Sequence, residues 1–225
     1  MIIINKMSKL FEKRIVFENV DFSLKEGASY AIVGKSGVGK TTFLNILGGL
    51  ENPTSGKVLI DDVEVNEKNL PNLRRVKFGF IFQNFGLIDN ETVRENLLIG
   101  LANQNLSQHE KDVAIKKVLK ELDLGNLELN QKIYTLSGGE QQRVALARII
   151  LKKAKIIFAD EPTGSLDSEN SNLILRHLLT DFGRDATILI ATHSPEVWQK
   201  CDYVIKIKNQ KSELIKNSNR RINEV

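Results

Sequence analysis

Residues 34–41 read GKSGVGKT. Gly34, Gly37 and Gly39 leave backbone N–H groups free to wrap an anion without side chains in the way. Lys40 adds a point charge, and the Thr41 hydroxyl suits a Mg²⁺ ion. An apolar run, Ala28–Val33, enters this loop, and a helical stretch to about Leu50 leaves it. That context is what a phosphate-binding loop requires, so Gly34, Lys35, Ser36, Gly37, Val38, Gly39, Lys40, Thr41 and Thr42 are expected to line the phosphates of a nucleoside triphosphate. The bland alternative is a glycine turn joining strand to helix.

Two further stretches hold chemistry. IIFADEP at 156–162 is a buried strand ending in two acids. Paired carboxylates are costly to bury unless a cation or hydrogen bonds compensate. Asp160, at the strand end, is placed to hold Mg²⁺. Glu161 points the other way, and Pro162 keeps it out of the α region, as suits a base taking a proton from attacking water. LSGGEQQR at 136–143 reads in two ways. Ser137 with Glu140 is a capping box, and Val144, Ala147 and Leu151 give the helix behind it an apolar stripe. Capping does not explain the consecutive Gly138 and Gly139, which fit a helix start approached closely by an anion. The loop at 34–41 already serves one phosphate group, so the second site would take a γ-phosphate across an interface. Physical reasoning leaves both readings open.

The elements that must position these residues alternate between strand and helix periods. Val16 to Leu24 alternates apolar and polar residues, the mark of a half-exposed antiparallel strand. Val58–Ile60 and Phe78–Phe82 read as strands, with ENPTSG at 51–56 as a turn. Thr92 to Leu124 reads as two helices divided near Ser107, which with Glu110 forms a capping box. Ile156–Asp160 and Thr187–Thr192 are buried strands, each preceded by a helical pattern. Such alternation predicts an α/β fold with a parallel sheet covered on both faces. The early strands and the 92–135 helices look like appendages to it.

The length of 225 residues suffices for one well-buried domain or two small ones. Hydrophobic content of 41% and charged content of 27% are ordinary for a soluble globular protein, and no apolar run is long enough to span a bilayer. The N-terminus, apolar for three residues and then basic, does not fit a secretory signal. One cysteine, Cys201, excludes an internal disulfide and points to a reducing cytosol. A net charge of +4 argues only weakly for nucleic acid.

The ordered series GKSGVGKT, Gln83, LSGGEQQR, IIFADEP, SLD (165–167) and His193 resembles the nucleotide-binding domain of ATP-binding-cassette proteins, from Phe11 to about Ile207. The resemblance implies one such domain over 1–225: a P-loop core with a mostly parallel sheet, an antiparallel β subdomain, a helical subdomain over about 84–150, and a basic tail over 208–225. It implies ATP and Mg²⁺, and a head-to-tail homodimer whose two sites each pair one subunit's loop with the other's Ser137, Gly138 and Gly139. An integral-membrane permease is the implied partner, with the chain in the cytoplasm at the inner membrane face and no nucleic acid expected.

By the same resemblance, Phe11 matches the aromatic that stacks on adenine, usually a tyrosine. Gln83 matches the glutamine that touches Mg²⁺ and attacking water and senses the permease. Asp167 matches an aspartate communicating between sites, and His193, before the helix-start pair Ser194-Pro195, a histidine on the γ-phosphate. Catalysis is then expected from Glu161, His193, Gln83 and Lys40, and metal binding from Thr41, Gln83 and Asp160. His109 and His177 are assigned nothing. Phe85, Leu87 and Ile88 either fold into the core or border a groove for a permease helix. From Lys206 onward the chain reads as a solvated basic end, or one touching lipid or permease.

Within the family, EPTGSLD and NFGLIDNETVRENLL are most similar to ATPases of lipoprotein-release, macrolide and antimicrobial-peptide permeases, especially those beside bacteriocin exporters. The stretch between Leu70 and Phe82 is shorter than usual there. Cassettes acting on DNA carry a long coiled coil, and those acting on ribosomes carry two cassettes; neither is present. A nucleotide kinase leaves LSGGEQQR and His193 unexplained.

Overall fold

In the computed structural model, which describes residues 1–164, 166–181 and 186–218, the chain opens with a hairpin of β1 (Ile2–Phe11) and β2 (Arg14–Leu24). β3 (Ser29–Val33) then runs into the glycine loop and α1 (Lys40–Leu47). β4 (Ser55–Ile60) and β5 (Val63–Glu64) return to the hairpin and complete an antiparallel sheet of order β2-β1-β4-β5. α2 (Leu70–Val76) leads to β6 (Phe78–Ile81). Three helices follow: α3 (Val93–Gly100), α4 (Gln108–Glu121) and α5 (Gly138–Lys152). Thr92, Ser107 and Ser137 start them, each in a complete capping box, so all three boundaries are written in the local sequence.

The second sheet gathers β7 (Ile156–Asp160), β8 (Thr187–Ala191), β9 (Tyr203–Lys208) and β10 (Lys211–Lys216) with β3 and β6, in the order β10-β9-β3-β8-β7-β6. All neighbours are parallel except the β9–β10 hairpin. α6 (Ser168–Arg176) and the one-turn α7 (Pro195–Trp198) lie between these strands in sequence. β8 is buried along its whole length because apolar layers cover both faces. One layer joins the antiparallel sheet and α1, with Phe17 edge-on to Phe43 at 5.4 Å. The other joins α3, α4 and α5. The expected α/β core with an antiparallel appendage and a helical appendage is therefore the observed architecture.

Three segments differ from the sequence reading. The N-terminal residues form β1, whose Ile2, Ile4 and Met7 are fully buried; register shifts between Ile4 and Met7 break the simple alternation. The short basic stretch after Leu70 contains α2, with a proline in its first turn. The expectation of a solvated end from Lys206 is corrected over 206–216. Ile205 and Ile207 are buried between exposed Lys206 and Lys208, and Asn209 and Gln210, both at positive φ, turn the chain into β10. The rest of the expected tail, 219–225, lies outside the described residues.

Candidate functional site

The glycine loop is shaped by close approach. Gly37 takes φ +70° and Gly39 φ +109°, and a Cβ on Gly39 would stand 2.2 Å from the Val16 side chain. The Arg14 guanidinium donates to the Gly37 carbonyl at 2.7 Å, so the β1–β2 hairpin braces the loop. Lys40 bends back to donate to the Gly34 carbonyl at 3.3 Å. α1 begins at Gly39 with no side-chain cap, leaving its first N–H groups free of side-chain acceptors. Phe11 ends β1 paired with Arg14, exposed, with the Lys9 ammonium 4.7 Å from its ring centre. An accessible aromatic face on the hairpin that braces the loop is what stacking on a base would need.

Four adjacent strands bring the remaining groups to one edge. Along it stand the loop after β3, His193 after β8, Asp160 and Glu161 at the end of β7, and Gln83 after β6. The Thr41 hydroxyl donates to Asp160 Oδ1 at 3.1 Å. Burial pushes the Asp160 carboxyl above its ordinary value, as does the nearby Glu161 charge, while Thr41 and Lys40 oppose the shift. Among the described residues no cluster of three or more His, Cys, Asp or Glu could hold a metal alone. A hydroxyl and a carboxylate side by side are hard oxygen donors, and such a sparse set suits Mg²⁺, which fills its shell with phosphate and water.

Glu161 takes φ +45°, which is outside the right-handed α region but in the left-handed one, not in the extended region that a following proline favours. His193 Nδ1 lies 2.8 Å from Glu161 Oε1, and Thr192 Oγ1 donates to Glu161 Oε2 at 3.3 Å. One carboxylate is thus aimed by two neighbours from the next strand. Gln83 is exposed and, among the described residues, makes no side-chain hydrogen bond to Thr41 or Asp160. It stands on the same edge without joining the pair.

The signature residues sit apart from this edge. Ser137 Oγ accepts from Glu140 N at 3.3 Å; Glu140 Oε2 accepts from Ser137 N at 2.8 Å and from Ser137 Oγ at 2.7 Å. These bonds hold the Glu140 carboxyl below its ordinary value. Among the described residues no hydrogen bond joins Ser137, Gly138 or Gly139 to the glycine loop. Gly139 instead abuts Asn170, which donates through its backbone N–H to Asp167 Oδ1 at 2.8 Å and accepts from Arg143. Asp167 therefore caps α6; Ser165 of the SLD triplet lies outside the described residues. In the segment after Gln83, Leu87 packs on the core while Ile88 is half exposed, and Asn96 pins the Ile88 backbone through both its N–H and its carbonyl.

Sequence reasoning missed Arg14 and Gln142. Arg14 left no local signal, because its contact depends on how two sheets dock. Gln142 did leave one. It shares a helix face with the buried Ala145, Leu146 and Ile149, so it is a polar residue inside an apolar stripe.

A family model described as ABC transporter matches residues 17–164. The macrolide export ATP-binding/permease protein MacB of Campylobacter jejuni is 37% identical over 212 residues, 93% of this chain and 33% of that protein. The chain thus spans about a third of the length of that relative. The lipoprotein-releasing system ATP-binding protein LolD of Buchnera aphidicola is 39% identical over 201 residues, 86% of each chain. Among solved structures, the ATP-binding cassette MJ0796, a dimer in a post-hydrolysis state with ADP and Pi, superposes with a TM-score of 0.84 at 34% identity, over 96% of this chain and 98% of that one. No helix among the described residues is long and apolar enough to cross a membrane.

Proposed function

We propose that this chain, which belongs to the ABC transporter family as one of its ATP-hydrolysing cassettes, powers export through an integral-membrane permease by closing head to tail with a second copy of itself. The observation that carries this reading is the pairing at one strand edge of Glu161 with His193 and, beside it, of Asp160 with Thr41. The loop N–H groups and Lys40 hold the β- and γ-phosphates. Thr41 and Asp160 would hold Mg²⁺, with Gln83 reaching the same shell; when bound, that ion draws off phosphate charge. Glu161 accepts a proton from the attacking water as its oxygen bonds to the γ-phosphorus and the bond to the β-phosphate oxygen breaks. The products are ADP and inorganic phosphate. His193 keeps the Glu161 carboxylate aimed at the loop. Ser137, Gly138 and Gly139 of the other copy cover the γ-phosphate, so hydrolysis removes the bridge and the closed dimer loses its differential affinity.

The names of the relatives support an exporter of the lipoprotein-release and macrolide type, with a peptide, bacteriocin or lipoprotein-like cargo. The permease would hold the chain at the inner membrane face. Glu161→Gln should bind ATP, lose about 10²- to 10⁴-fold in turnover and accumulate as an ATP-bound dimer by size-exclusion chromatography. Undiminished turnover removes Glu161 as the base. An ATP-loaded monomer removes the shared site.

A further inference from the structure

α5 begins at the signature and meets the catalytic edge one turn later. The Gln142 side chain is 2% exposed, and its Nε2 donates to the Pro162 carbonyl at 2.8 Å. That carbonyl belongs to the residue directly after Glu161. Three other bonds hold the same turn among the described residues, Glu161 N to the Ala191 carbonyl at 2.9 Å, Gly164 N to the Glu161 carbonyl at 3.1 Å and Leu166 N to the Thr163 carbonyl at 3.2 Å. All are backbone contacts. Among the described residues, Gln142 is the side chain that reaches this turn's backbone from outside it.

Packing alone does not favour glutamine here. Its Oε1 is buried with no hydrogen-bond partner, and an unmet buried acceptor is destabilising. Ala145, Leu146 and Ile149, on the same face, are apolar. What the amide supplies is a directed tie between a helix and a strained peptide. A shift of α5 moves the Pro162 carbonyl, and with it the backbone that sets the Glu161 carboxylate against His193 Nδ1.

We propose that Gln142 is a positioning residue for hydrolysis, transmitting the placement of the signature helix to Glu161 of the same chain. This rests on the shared-site reading above. In a head-to-tail pair a chain's signature serves one ATP while its Glu161 serves the other. Gln142 therefore links the two sites through the interior of each subunit, and phosphate engagement at one sets the base at the other.

Gln142→Met keeps the side-chain length without the amide, and Gln142→Glu keeps its shape but at neutral pH offers only acceptors to a carbonyl. The measurements are steady-state hydrolysis against ATP concentration, melting temperature, and ATP-driven dimerisation of each variant combined with Glu161→Gln. In Gln142→Met, kcat should fall about tenfold, with KM within about twofold and the dependence on ATP losing its cooperativity. Gln142→Glu should fall further and melt lower, because a buried carboxylate facing a carbonyl is destabilising, whereas Gln142→Met should dimerise and melt as its parent does. Parent-like kcat and cooperativity in Gln142→Met overturn the proposal. So does a loss of kcat in Gln142→Met matched by losses in melting temperature and dimerisation, which marks a structural role. A Glu161→Gln protein that stays monomeric with ATP sinks the shared site itself, and the cross-site link with it, whatever Gln142→Met does.

Discussion

Two helix starts in this molecule carry glycines suited to an anion, and they are built oppositely. α1 begins on Gly39 in a left-handed conformation with no side-chain cap. α5 begins on Ser137 with its backbone N–H and its hydroxyl both bound to the Glu140 carboxylate. The first is a socket prepared in advance, its donors held open by loop geometry and by Arg14. The second already holds an anion of its own. In the proposed dimer a γ-phosphate reaching it would have to take Ser137 from Glu140, so the two helix starts would differ in readiness within a single chain. Capping and phosphate binding at the signature would, in that dimer, be successive states of one helix start.

That contrast can be broken from either side. Gly39→Ala should do the most damage. It forces a side chain into φ +109° and against Val16, and ATP affinity of the monomer should fall on the order of a hundredfold by calorimetry. Unchanged affinity would mean the loop is not the prepared socket. Ser137→Arg should reduce ATP-driven dimerisation and turnover by at least about tenfold while ATP binding by the monomer stays normal. A monomer that loses ATP as badly as Gly39→Ala erases the distinction between the two starts.

Glu140→Gln tests the competition directly. Glutamine preserves the box but removes the charge, so ATP-driven dimerisation should tighten about two- to fivefold. Weaker dimerisation would show that Glu140 is no competitor. The smallest effect is on stability. Asp160 has a raised carboxyl pKa in the folded chain, so the folded state favours the protonated form. Its contribution is fully present below the ordinary carboxylate pKa and is lost as pH rises through the raised value. In chelator and without nucleotide, Asp160→Asn should therefore melt with the parent in acid and above it near neutrality. A parent that gains on the variant as pH rises contradicts the burial of that charge.

What was legible in the sequence had local causes. Capping boxes at Ser107 and Ser137 mark helix starts because cap and partner are three residues apart. β7 and β8 read as buried strands because both faces are covered. β1 was hidden by its bulge, which resets which side chains face inward. β9 carried the signal, with buried isoleucines alternating with lysines, but its turn at Asn209 and Gln210 lacks the glycine that usually announces a two-residue hairpin. The candidate site residues were named by motif and resemblance, whereas the contacts among them were not. Nothing local in the sequence says that His193 meets Glu161, since these residues come from different strands.

The strand order also bears on how the molecule is made. β3, which delivers the glycine loop, and β7, which delivers the acids, do not touch; β8 stands between them and pairs with both. That strand is Thr187–Ala191, synthesised long after the loop. Loop and acids both precede it in the chain, and the strand that joins their two parts of the sheet comes last of the three. The sheet that carries loop and acids is therefore continuous only once β8 has joined it, late in the order of the chain.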